Sequence, residues 1–185
     1  MSDEIVLVTE EKMNKALQGL SKELGTVRAG RANPGVLDKI TIDYYGVTTP
    51  LNQLSNISAP EPRLLVVQPW DKSAMGTIEK AILKSDLGLT PNSDGNIIRI
   101  AIPQLTEERR KDLVKMVKKM AEETKVAIRN IRREANEDVK RMEKAGEISQ
   151  DDSRRLQDEV QEFTNQYVEK VNGVLSVKEA EIMEV

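Results

Sequence analysis

The chain has 185 residues, of which 38% are hydrophobic, 32% charged and only 3% aromatic, and its net charge is −3. Histidine and cysteine are both absent, which excludes a Ser-His-Asp triad, a thiol nucleophile, a zinc site built on either residue and a disulfide framework. Any catalysis would have to rest on carboxylates, lysines, hydroxyls or a hard metal, and the first expectation is a protein that works by binding.

The apolar residues are periodic rather than scarce, so the high charge fits long, solvent-washed helices. The first predicted helix spans about residues 3–29, where Met13, Leu17, Leu20, Leu24 and Val27 recur at steps of three and four. Gly30 and the break at Asn33-Pro34-Gly35 close it. The stretch from Pro34 to Pro103, which holds all seven prolines, differs in kind. Residues 39–44 alternate like a half-buried strand, and residues 64–67 and 97–102 read as two more, the last after a turn at Asn92-Ser-Asp-Gly95. One short helix is expected within residues 73–86, with Met75, Ile78, Ala81 and Ile82 as its apolar face.

A second long helix starts near Thr106, whose hydroxyl can cap it, with Glu107 and Glu108 at the positive end of the dipole. Leu113, Met116 or Val117, Met120, Thr124, Ile128, Ile131, Ala135, Val139 and Met142 carry its stripe to about Ala145, and Gly146 ends it. The third opens at the N-cap Ser149, with Asp152 three residues on. Its stripe is Leu156, Val160, Phe163, Tyr167 and Val171, and Gly173 is a weak spot in it. Because the middle stretch is inserted between helices one and two, those helices should run antiparallel, and the short turn at Gly146 folds helix three back. The expectation is an up-down three-helix bundle with a small α+β domain attached through two connections. No run of about 18 apolar residues could span a membrane. The opening MSDEIVLVTEEK lacks the basic segment of a signal peptide, so a cytoplasmic location is expected.

Charge is distributed unevenly. Residues 109–133 hold ten basic and three acidic residues, whereas residues 147–185 hold four basic and ten acidic. Arg129, Arg132 and Arg133 are three and four residues apart and share a helix face, which Lys111, Lys115, Lys118 and Lys125 extend and Glu122 interrupts. From composition alone this face reads either as a solvated surface with routine salt bridges or as a phosphate-binding patch, for which the guanidinium fork is suited. Arg28 and Arg31 flank Gly30 and come near Arg109 and Arg110; they either pair with Glu107 and Glu108 or add a second phosphate contact. Trp70 reads as core or as a staple at a helix start, and Tyr44-Tyr45-Gly46 as a strand running into a turn. Few aromatics argue against recognition by base stacking. No phosphate loop or dinucleotide fingerprint is present, and the would-be calcium loop of Asn92, Asp94 and Asn96 fails because Pro103 stands at its last position. No residue cluster motivates a metal-dependent enzyme. A helical scaffold that binds proteins without touching RNA is the alternative.

Several blocks in order complete the picture: Val27-Arg-Ala-Gly-Arg-Ala32, Leu37-Asp-Lys-Ile40, Asp43-Tyr-Tyr-Gly46, Pro69-Trp-Asp71, Glu79-Lys-Ala-Ile82, Ser85-Asp-Leu-Gly-Leu89, Leu105-Thr-Glu-Glu-Arg-Arg-Lys111 and Arg129-Asn-Ile-Arg-Arg133. With them the chain closely resembles bacterial ribosome recycling factor over essentially its whole length. The resemblance implies an α+β, L-shaped protein. A three-helix bundle (residues 1–30 and 105–185) would be the ribosome-binding arm, carrying an inserted β/α/β domain (31–104). It implies a monomeric translation factor, not an enzyme and without cofactor, that binds the post-termination ribosome. With elongation factor G and GTP it would split the subunits and release mRNA and tRNA. Arg132 is implied as the leading contact to large-subunit rRNA, with Arg129, Arg133, Arg28, Arg31 and Arg110 as helpers. The hinge would comprise Gly30, Arg31, Ala32, Pro103, Gln104 and Leu105. The family commonly has two prolines before Leu105; here the second is Gln104, and losing a fixed φ should free that linker.

Overall fold

Helical periodicity at both ends of the chain and β-rich patterning in its middle produce an α+β architecture. In the computed structural model, which describes residues 2–184, the chain forms two compact units: Met1–Ala29 with Thr106–Val185, and Gly30–Leu105.

The first unit is three helices: α1 (Ser2–Thr26), α3 (Glu107–Lys144) and α4 (Gln150–Met183). Their buried stripes are Met13, Leu20 and Leu24 from α1, Leu113, Val117, Ala121, Ile128, Ala135 and Val139 from α3, and Leu156, Val160, Tyr167, Val171 and Ile182 from α4. The N-terminal half of α1 packs on the C-terminal half of α3, as the Lys12–Glu134 pair at 3.7 Å records, so those helices are antiparallel. The buried hydroxyls of Thr9 and Thr164 donate to the carbonyls of Ile5 and Val160 one turn earlier, so both are satisfied within their own helices.

Caps explain the helix ends. Thr106 accepts the N–H of Arg109 at 3.1 Å, and Ser149 that of Asp152 at 3.0 Å. At the α3 C-terminus Gly146 takes φ +74°, with Gly146 N–H on the Glu143 carbonyl and Glu147 N–H on that of Met142, a Schellman motif. Helix α1 stops at Thr26, short of the expected end at Ala29, because its last turn tightens: Val27 N–H donates to the Leu24 carbonyl and the Thr26 hydroxyl to that of Glu23. Phe163, expected in the α4 stripe, is half-buried, and Thr164 holds the core position beside it.

Gly173 lies inside α4 with nothing within 4 Å of a Cβ built there. Gly173→Ala is expected to raise the unfolding free energy by about 0.5–1 kcal/mol, read as a higher urea midpoint at unchanged slope.

In the second unit, strands β1 (Thr41–Tyr44) and β2 (Val47–Pro50) form one hairpin. Strands β3 (Ser55–Glu61), β4 (Leu64–Pro69), β5 (Pro91–Ser93) and β6 (Ile98–Ala101) form an antiparallel sheet in the order β3-β4-β6-β5, and α2 (Met75–Lys84) completes the unit. The core gathers Leu37, Ile42, Leu51, Leu65, Val67, Ile78, Ile82, Ile98 and Ile100. Three strands lie outside the periodic reading: β2, β3 and β5. They are short or mostly exposed and each contains proline, so they lack the inward-outward alternation that marks the others. Tyr45 (φ 49°) and Gly46 (φ 82°) make the two-residue hairpin turn, matching the expected strand end. Trp70 departs from expectation. Leu65, Val67 and Pro69 point inward along β4, so alternation turns Trp70 outward and leaves it 69% exposed.

The β5–β6 turn is organised by Asp94, whose Oδ1 accepts the N–H groups of Asn96 and Ile97 at 3.0 Å each and whose Oδ2 accepts Arg99 Nη1 at 2.7 Å. These donors hold its carboxyl at about 2 instead of 3.8. A folded-state value below the unfolded one stabilises the fold above pH 3.8, and that contribution is lost as pH falls toward about 2. Asp94→Asn should therefore flatten the acid limb of an unfolding profile in that window and leave the neutral region parallel to the parent.

Candidate nucleic-acid interface

Helix α3 positions the basic residues. At about 100° per residue, Lys111, Lys118, Lys125, Arg129, Arg132 and Arg133 fall on a strip beside the buried stripe of Ile128 and Ala135. The strip is convex and solvent-washed, the form suited to a nucleic-acid backbone rather than to a small ligand.

The arginines are not equivalent. Arg132 sits next to the core stripe, is half-buried, and reaches across to α4, where Nη1 donates to Gln161 Oε1 at 3.4 Å. Gln161 in turn donates to Asn165 at 2.9 Å, and among the described residues Arg132 forms no ion pair. Its charge is held in place yet not cancelled, and most of its five donors stay available. Arg133 is exposed, with no ion pair among the described residues. Arg129 pairs with Glu122 at 3.6 Å, and Lys125 pairs with the same carboxylate at 3.9 Å. Lys111 pairs with Glu107 at 3.9 Å and Lys118 with Glu179 at 4.0 Å. The Arg129 and Lys111 pairs are exposed and of small worth, so phosphate oxygens can replace them; the Lys125 side chain and the Glu179 Oε1 that faces Lys118 are largely buried. The routine salt-bridge reading thus fits Arg129, Lys111, Lys118 and Lys125, and does not fit Arg132, Arg133 or Lys115, which form no ion pair among the described residues.

Glu122 is the acid that competes for the strip. Glu122→Gln frees Arg129 and Lys125 and is expected to tighten binding of an RNA partner by about two- to fivefold at low salt, the equivalent of an exposed pair. Titration with the partner at two salt concentrations measures this.

Arg28 lies just past the end of α1, and Arg110 lies in the first turn of α3. The antiparallel packing of α1 and α3 brings these two to one end of the bundle. Arg28 is exposed and engaged by other groups of the chain. Arg110 is half-buried, and its Nε has no hydrogen-bond partner. Arg31 belongs to the second unit and is likewise exposed and engaged. Asn136, one turn beyond Arg132, went unnoticed in the sequence; its buried Oδ1 has no partner either. Only its spacing from Arg132 could have drawn attention to it.

All six expected hinge residues fall in the second unit. Ala32 N–H donates to the Pro62 carbonyl at 2.6 Å and Ile102 N–H to that of Arg63 at 2.8 Å, so both connections are stitched to the β3–β4 turn. Gly30-Arg31 and Pro103-Gln104-Leu105 lie outside these two bonds. Gly30 has φ +76°, and a Cβ there would meet Leu105 Cγ at 3.0 Å.

The family model described as Ribosome recycling factor matches residues 20–183. The ribosome-recycling factor of Bacillus subtilis (strain 168) is 62% identical over 100% of both chains, and that of Natranaerobius thermophilus is 61% identical over 97% of this chain and 98% of its own. A solution structure of a ribosome recycling factor superposes with TM-score 0.76 at 39% identity, covering 100% of this chain and 98% of that one. A second structure superposes with TM-score 0.63 at 46% identity over 100% of both chains. It is described as the T. thermophilus ribosome recycling factor with E. coli elongation factor G, bound to the E. coli post-termination complex.

Proposed function

The chain belongs to the ribosome recycling factor family, and on that premise we propose that it binds the post-termination ribosome and, with elongation factor G and GTP, parts it into subunits. The mRNA and tRNA are released, and the subunits enter a new round. It acts as a monomer in the cytoplasm and performs no chemistry itself; the nucleotide is spent by its partner.

The observation that supports the RNA-binding half of this reading is Arg132, whose guanidinium on α3 contacts the neutral amide of Gln161 and forms no ion pair among the described residues. We assign the bundle as the arm that docks on large-subunit rRNA. Arg132 leads, Arg129 and Arg133 flank it, and Arg28, Arg110 and Arg31 lie toward the connections. Gly30, Arg31, Ala32, Pro103, Gln104 and Leu105 form the hinge about which the small unit is driven. No helix among the described residues is long and apolar enough to cross a membrane.

Phosphate contacts release counterions, so binding falls steeply with salt, whereas a scaffold binding through apolar helix faces would be salt-insensitive. The deciding experiment is conversion of post-termination complexes to subunits, followed on a sucrose gradient with elongation factor G, GTP and this protein. Absence of conversion overturns the reading.

A further inference from the structure

Strand β1 is paired on one side only. Its partners in β2 run Tyr44↔Val47, Asp43↔Thr48, Ile42↔Thr49 and Thr41↔Pro50, closed by a two-residue turn. In such a hairpin the pair next to the turn exchanges its hydrogen bonds and the pairs then alternate. Ile42 and Tyr44 therefore turn their backbone groups to β2, and the Ile40 carbonyl joins them by accepting Leu51 N–H at 2.9 Å. Thr41 and Asp43 turn theirs the other way.

That other edge lines a groove. Lys39 to Asp43 form one wall and Thr77, Lys80, Ala81 and Lys84 of α2 the other, enclosing about 650 Å³. A smaller cleft continues it along Ile42 to Tyr45 opposite Ser73, Ala74 and Thr77. Lys80 and Lys84 are exposed and, like Lys39, form no ion pair among the described residues. The lining also holds two carboxylates, Asp43 on β1 and Asp86 past the end of α2, so the positive charge is confined to Lys39 and the α2 wall. They are four residues apart on α2, which spaces them by about 6 Å along the helix. Alternate residues of an extended strand are about 6.6 Å apart. Lysines on a strand edge usually guard it against pairing; here Lys80 and Lys84 stand across the groove, where they meet the side chains of whatever pairs with β1.

We propose that the β1–α2 groove receives an extended, acidic segment of a partner protein, which adds a strand to β1. Its main chain bonds the free N–H and carbonyl groups of Thr41 and Asp43. Acidic side chains at every second position meet Lys80 and Lys84. Backbone pairing supplies the affinity and the lysine spacing supplies the selectivity, the division seen wherever a peptide extends a sheet. The assignment is independent of the arginine strip, which lies in the other unit.

The test uses the full chain, isotope-labelled, titrated with an acetylated alternating Val-Glu hexapeptide. Amide shifts should concentrate on residues 39–45 and 77–84, and hydrogen exchange at the Thr41 and Asp43 amides should slow. Lys80→Gln with Lys84→Gln should weaken binding by about tenfold, two charge-assisted contacts being lost. An alternating Val-Lys peptide should not bind, and N-methylation of the peptide amides that face β1 should abolish binding. Four outcomes overturn the proposal: no groove shifts at millimolar peptide; binding that survives N-methylation, which would be charge attraction alone; tighter occupation of the same residues by single-stranded nucleic acid; or protection of the Thr41 and Asp43 amides by self-association without peptide, which would make the occupant a second copy.

Discussion

Replacing Arg132 by alanine is expected to weaken binding to the ribosome by about ten- to a hundredfold, the effect of losing one hydrogen-bonded charge worth roughly 1.5–3 kcal/mol. Arg132 should exceed its neighbours for a structural reason. Its side chain is half-buried against α4 and bonded to Gln161, so part of the entropy of ordering it is already spent in the free protein. Arg129 must first leave Glu122, and Arg133 must be ordered from a fully exposed state. Lysine at 132 should restore little where the contact is a planar, two-pronged one, because an ammonium is a point charge. The slope of log affinity against log salt should shrink by about one phosphate contact. Sedimentation with ribosomes at two salt concentrations reads both quantities, and thermal unfolding checks that the bundle is intact. Unchanged affinity in the alanine variant would remove Arg132 from the interface.

What made the bundle legible was redundancy. Ile128, Ala135 and Val139 recur at helical steps, Ser149 and Thr106 cap, Gly146 terminates, and each feature agrees with the others. In the small unit, burial made β1, β4 and β6 legible as apolar alternation or runs, and α2 as a helical face of Met75, Ile78 and Ile82. Strands β2, β3 and β5 each pair with the strand next to them in the chain, but they are short or exposed and carry proline, so no apolar alternation in a stretch such as Ser55-Asn-Ile-Ser-Ala-Pro-Glu61 announces them. Trp70 was misplaced because residue type was weighed above its position in the alternation. For the interface, spacing was enough to place Arg129, Arg132 and Arg133 on one face, and Glu122 was visible as an interruption. That Glu122 ties up Arg129 and Lys125 while Gln161 braces Arg132 depends on rotamers and on the facing helix. A single sequence does not encode those in any local pattern.

Gly30→Val should separate binding from splitting. The left-handed backbone at φ +76° costs a residue with a side chain about 1–2 kcal/mol, more for a β-branched one. The added atoms also enter the space of Leu105, whose Cγ is 3.0 Å from a Cβ at this position. Overpacking of that kind costs about 1–3 kcal/mol further. The two ends of the small unit meet at this contact, and neither neighbour can give way freely, since Ala32 and Ile102 are stitched to the β3–β4 turn. The strain must therefore be taken up by Arg31 and by Pro103-Gln104-Leu105, the residues assigned to the hinge. Ribosome affinity should fall by no more than the small share of Arg31, because Arg129, Arg132 and Arg133 belong to the other unit and share no partner with Gly30. Subunit splitting with elongation factor G and GTP should fall sharply, since it draws on the strained connection. Adding Leu105→Ala should recover the overpacking share of the lost stability and leave the backbone share in place. If the double variant regains nothing in a denaturant titration, the Gly30–Leu105 contact is not what constrains the connection; if splitting survives in Gly30→Val, the hinge does not lie there.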